Sequence, residues 1–121
     1  MHDSAKRAAW RRRYAATPKG RRARKDSQLK VKFGITIDTY DAMLKAQGWA
    51  CEICGEKCPS GRALAVDHDR STGKIRALLC APCNTSLGLM KTPVRLSAAA
   101  EYLRWFQAKD AQSVAARASN P

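Results

Sequence analysis

No stretch of this sequence stays apolar long enough to cross a bilayer, and its first residues lack the apolar core of a secretion signal, so a membrane or exported protein is not expected. Acidic residues are scarce, ten against 23 Lys and Arg, which excludes a balanced surface charge. Aromatic side chains make up only 7% of the chain, and much of the 45% apolar content is alanine. A chain of 121 residues built this way has a small core that calls for a staple. Histidine occurs only as His2 and His68, and His2 is read as an exposed terminal residue.

The charge that is present is concentrated. Residues 1–32 hold twelve Lys or Arg against Asp3 and Asp26, which is +10 of the net +13. Such a segment seeks polyanions, because each cation that neutralises a phosphate releases condensed counterions. DNA is the expected partner, with Arg11, Arg12, Arg13, Arg21, Arg22, Arg24 and Lys25 as contacts in the arm and Arg70, Lys74 and Arg76 further on. A solubilising tail, a localisation signal and an anionic-membrane anchor are the alternatives. The last is weakest, since Trp10 and Tyr14 are the only large apolar groups of the helical stretch and cannot make an interfacial face. A cytoplasmic location without membrane contact follows as the expectation.

Residues 4–15 read as a helix capped by Asp3 or Ser4, with Trp10 and Tyr14 one turn apart and Pro18 and Gly20 breaking it. A second basic helix over 21–32 is expected only when docked on DNA or on the core. Thr36 caps a helix reaching about Gln47, ended by Gly48. Residues 64–66 and 75–79 read as strands of a hairpin, and Pro82 opens a short helix to about Leu89. A last helix starts at Thr92 and Pro93, with Leu96, Ala99, Leu103 and Phe106 as an apolar stripe for core packing or for pairing two chains. The expected organisation is an arm over 1–32, a folded domain over 33–109 and a flexible tail over 110–121.

Five cysteines in a reduced compartment point to metal rather than disulfides. Cys51-x-x-Cys54 and Cys80-x-x-Cys83 supply the four thiolates that Zn²⁺ takes in a tetrahedron, and the 25 residues between the pairs leave room for the hairpin. A site closed by four protein ligands is structural. Cys58 is a spare thiol near the knuckle. Between the pairs lies Val66-Asp67-His68-Asp69, and Asn84 follows the last cysteine. Neighbouring strand residues point to opposite sides, so Asp67 and His68 can serve one substrate only at a bent strand end. The bland reading of this segment is a polar turn, and Asp69 is read as turn-forming or supporting.

Phe33-Gly-Ile-Thr36, Tyr40-Asp-Ala-Met-Leu44, Gln47-Gly48, the two cysteine pairs, Val66-Asp-His-Asp69, Thr72-Gly73, Arg76-x-Leu-Leu-Cys80 and Cys83-Asn84-x-x-Leu-Gly88 resemble, in order and spacing, the phage recombination endonuclease VII family of HNH (His-Me finger) nucleases. The resemblance covers about residues 33–106. It implies a small α+β fold: a zinc-bound ββα-metal unit with flanking helices and the basic helical arm. It further implies a metal-dependent DNA endonuclease, with Asp67 and Asn84 as ligands of a catalytic Mg²⁺ or Mn²⁺ and His68 as general base. Two positions depart from the pattern: Arg70 stands where a second histidine often follows, and Leu87 replaces an acidic residue some relatives carry. The competing functions are a non-catalytic zinc-knuckle DNA-binding accessory protein and, ranked last, an RNA-binding zinc protein.

Overall fold

The computed structural model describes residues 3–58 and 62–118, which fall into two compact units divided between Ala81 and Pro82. His2 and residues 119–121 of the expected tail lie outside the described residues.

In the first unit, α1 (Ser4–Ala16) is capped by Asp3, whose carboxylate accepts from the Lys6 N–H at 3.0 Å. Thr17, in extended conformation, ends α1 and caps α2 (Pro18–Phe33) through a 3.0 Å bond from the Gly20 N–H. The break expected at Pro18 and Gly20 falls at Thr17, and the second helix starts at Pro18, three residues before its expected start at 21. Proline at the first helical position loses no hydrogen bond there. A Cβ at Gly20 would lie 1.8 Å from the Tyr14 carbonyl oxygen, so the two helices approach as closely as only glycine permits.

The C-terminal half of α2 is docked on α3 (Ile37–Ala46), across the boundary expected at residue 32. Leu29 is buried, the Asp26 carboxylate accepts from the Ile37 N–H at 2.8 Å, and Arg22 reaches Asp38 at 3.2 Å and Asp41 at 2.8 Å. The Lys25 ammonium sits 3.9 Å above the Tyr40 ring. Tyr40, 2% exposed, donates from its hydroxyl to the Leu64 carbonyl at 2.6 Å and so fixes α3 at the entrance to the hairpin.

That hairpin comprises antiparallel β1 (Ala65–His68) and β2 (Ile75–Leu79). Its inner residues Leu64, Val66, Leu78 and Leu79 are the centre of the core. Strand β1 runs two residues beyond the expected end, taking in Asp67 and His68. Asp67 pairs with Ala77 but His68 with Ile75, so β2 carries one extra residue, Arg76, at a bulge.

Gln47 closes the outer edge of β2. Its amide nitrogen donates to the carbonyls of Leu78 at 2.8 Å and Ala50 at 2.9 Å, and its oxygen accepts from the Leu78 N–H at 2.8 Å, as a neighbouring strand would. The Gln47→Leu variant is expected to strand the buried N–H of Leu78, at a cost of about 1–3 kcal/mol, while the Leu78 carbonyl keeps its bond from the Glu52 N–H at 3.3 Å. Thermal denaturation should then show a midpoint lower by about 4–8 °C per kcal/mol. An unchanged midpoint would mean that this amide does not complete the sheet in solution.

The second unit contains α4 (Ala81–Met90) and α5 (Pro93–Ala118), the latter capped by Thr92, which accepts from the Arg95 N–H at 3.2 Å. Helix α5 continues through residue 110, where a flexible tail was expected, because no glycine or proline interrupts it before its end. Leu103 and Phe106 of the expected stripe remain exposed, as do Tyr102 and Trp105.

Candidate metal centre and hairpin site

The first cysteine pair occupies a tight turn. The Gly55 N–H donates to the Cys51 carbonyl and the Cys51 N–H to the Glu56 carbonyl, both at 2.9 Å, and Gly55 takes the left-handed conformation, φ 72°, that lets the chain reverse. Cys80 directly follows β2, and Cys83 lies in the first turn of α4. The four sulfurs all lie within 4.8 Å of one another, with Cys54 and Cys80 at 3.8 Å. A tetrahedron with metal–sulfur bonds of ~2.3 Å sets its sulfurs roughly 3.8 Å apart, so the group fits a zinc ion. Burial pushes the Cys51 thiol up, but the backbone N–H groups of Cys54, Cys80 and Ile53 and the Cys54 side chain outweigh it and hold the group down to about 6. The thiolate that a metal needs is favoured at neutral pH. Cys58 is buried and is not one of these four.

The bulge sets the second feature. Asp67 is 8% exposed, and the Arg76 guanidinium grips both its oxygens, Nε donating to Oδ2 at 2.7 Å and Nη2 to Oδ1 at 3.0 Å. This hydrogen bond and the carboxylate charge raise the pKa of Arg76 further. His68, the next residue, is exposed, and its imidazole lies against the Phe33 ring at 5.6 Å between centroids and 55° between planes. Asn84 lies on α4 directly after Cys83 and is half-buried. Asp69 builds the turn: its Oδ1 accepts from the Ser71 hydroxyl at 2.6 Å, the Ser71 N–H at 2.8 Å and the Thr72 N–H at 3.3 Å, bonds that lower its pKa.

The predicted phosphate contacts divide into two sets. Arg22, Lys25 and Arg76 are engaged with Asp38 and Asp41, with the Tyr40 ring and with Asp67, while Arg21 donates to the Ala16 carbonyl. Arg11, Arg12, Arg13, Arg24, Arg70 and Lys74 are exposed and form no ion pair among the described residues. Sequence reasoning missed the Arg76 clamp, the Phe33 packing on His68 and the Gln47 edge. Only the first had a signal in the sequence, since a hairpin sets Arg76 roughly across from Asp67.

Comparison with known proteins then gives the lineage. A family model described as recombination endonuclease VII matches residues 26–105. The chain is 37% identical over 81 residues to the Gene 59 protein of Mycobacterium phage D29, a match spanning 65% of this chain and 49% of that protein. It is 39% identical over 59 residues to the Gene 59 protein of Mycobacterium phage L5, spanning 49% of this chain and 36% of that protein. The chain therefore spans about half or less of these curated relatives.

Proposed function

The chain belongs to the recombination endonuclease VII family, and from that premise we propose that it is a metal-dependent DNA endonuclease of the HNH, His-Me finger type, working from the hairpin. The observation that carries the reading is a buried carboxylate, Asp67, clamped in one orientation beside an exposed imidazole, His68, at a strand bulge inside the matched segment. Charge supports the same substrate, because the basic arm favours a polyanion.

In this reading zinc, held by Cys51, Cys54, Cys80 and Cys83, is structural: four thiolates leave no position for water. Asp67 and Asn84 would hold a Mg²⁺ or Mn²⁺ ion. The donor set fits a hard cation, since carboxylate and amide oxygens suit it and waters and a phosphate oxygen complete its shell. Arg76 takes one lone pair on each Asp67 oxygen and leaves others for a metal. When bound, the ion offsets negative charge on the phosphate and on the departing oxygen. His68 accepts a proton from the water that attacks phosphorus, as an imidazole can near neutral pH. The bond between phosphorus and the 3′ oxygen breaks, which leaves a 5′ phosphate and a 3′ hydroxyl.

Phe33 limits rotation of the imidazole, and Arg76 prevents the carboxylate from turning away. The exposed apolar residues of α5 favour pairing of two chains. The deciding experiment incubates supercoiled plasmid and synthetic duplex and branched substrates with the protein and Mg²⁺ or Mn²⁺. Nicked or linear products with 5′ phosphates are expected. Intact DNA with both metals, from protein shown to be folded, would overturn the reading.

A further inference from the structure

Helix α1 lies before the matched residues, buries no side chain of its own, and yet carries two of the chain's few aromatic rings. Trp10 and Tyr14, one turn apart, stack with centroids 5.3 Å apart and planes 1° from parallel. Trp10 is 62% exposed. A tryptophan that served the core would be covered, and a purely electrostatic arm would have no use for one. An open groove of about 540 Å³ runs beside it, lined by Lys6, Arg7, Trp10 and Arg11. Tyr14 is not part of that lining, so the stacked phenol leaves the indole accessible from the groove.

A flat aromatic surface flanked by cations matches one ligand above others. Single-stranded nucleic acid offers bases that stack on aromatic rings and phosphates that pair with neighbouring Lys and Arg, whereas bases in a duplex have their faces already covered. The parallel stack holds the indole in a fixed plane, so little rotamer freedom remains to be lost when a base lands on it. We propose that the Trp10–Tyr14 stack is a docking platform for unpaired bases of DNA, with Lys6, Arg7 and Arg11 holding the adjoining phosphates. This rests on the reading of the protein as a DNA-cutting enzyme and narrows its substrate: the arm would favour DNA with a single-stranded stretch at a gap, flap or junction.

The test measures binding of the full chain to a fluorescent thymidine oligonucleotide and to a duplex of equal length, for wild type, Trp10→Ala and Trp10→Phe. Trp10→Ala should weaken oligonucleotide binding by about 5- to 150-fold, the worth of one stacked base. Duplex affinity should stay within about twofold with the same salt slope, because no charge is removed. Trp10→Phe should recover most of the loss. Circular dichroism checks that each variant folds, as expected for a helix with no buried residue. Equal oligonucleotide affinity for Trp10→Ala and wild type, or equal losses on both DNAs, would overturn the platform while leaving the nuclease reading intact. A wild-type protein that binds neither DNA would overturn both.

Discussion

Stripping the four-cysteine site with a strong chelator is expected to abolish the cooperative thermal transition of the first unit. The argument is one of magnitude. A hairpin with strands of four and five residues is marginal by itself in water. The apolar residues around it that are fully covered are few, chiefly Leu29, Tyr40, Leu64, Val66, Leu78 and Leu79. Binding of structural zinc is worth about 10–16 kcal/mol in small folds, against a net stability of about 5–15 kcal/mol for an ordinary domain. The metal term is therefore as large as the whole net stability of such a domain. Metal analysis should find a single zinc per chain, and Cys80→Ser should mimic chelation. Cys58→Ala should keep its zinc, since Cys58 stands outside the group of four. Chelated protein that melted where the untreated protein does would refute a structural role for the site.

His68→Ala is expected to lower the rate of DNA cleavage by about 10²- to 10⁴-fold, the usual contribution of a positioned general base. Binding should be retained, since the exposed unpaired cations Arg11, Arg12, Arg13 and Arg24 are untouched. Asp67→Asn should be equally damaging to cleavage for a different reason. It removes the charge that would attract a divalent ion and sets an amide group against Arg76, whose guanidinium now grips two carboxylate oxygens at 2.7 and 3.0 Å. Because Asp67 is nearly covered, this variant should also melt earlier, whereas His68→Ala, at an exposed position, should not. The contrast separates chemistry from folding. Wild-type cleavage rates in both His68→Ala and Asp67→Asn would place the chemistry elsewhere in the chain and overturn the hairpin site.

Deleting the whole basic segment is a poorer experiment than its charge implies. Arg22, Lys25, Asp26 and Leu29 tie α2 to α3, so removal of residues 1–32 would take part of the fold with it. Variants confined to α1 avoid the difficulty. The elbow at Thr17 and Gly20 marks where the separable part of the arm ends.

Much was legible from residue types and spacing. The helix starts at Asp3, Thr36 and Thr92 were readable because a capping side chain bonds to a backbone N–H only three residues ahead. The cysteine set was readable for a related reason: two closely spaced pairs carry their own chemistry, and only four thiolates brought together satisfy a zinc ion. The break between the two arm helices was readable, but its form as a tight elbow was not, because Pro18 and Gly20 are ambiguous in isolation. Proline interrupts a helix or begins one according to its position, and whether glycine is required depends on what lies opposite it, here the Tyr14 carbonyl.

What residue order alone determined, then, is local or chemically saturated: the caps, the hairpin strands, the group of four cysteines and the concentration of positive charge near the N-terminus. Only tertiary structure decided which groups meet across long separations. Gln47 pairs with Leu78, 31 positions away, and Tyr40 reaches Leu64, 24 positions away. Such contacts depend on strand register and on packing, where a slip of one residue turns a side chain to the other face, so no local pattern can encode them.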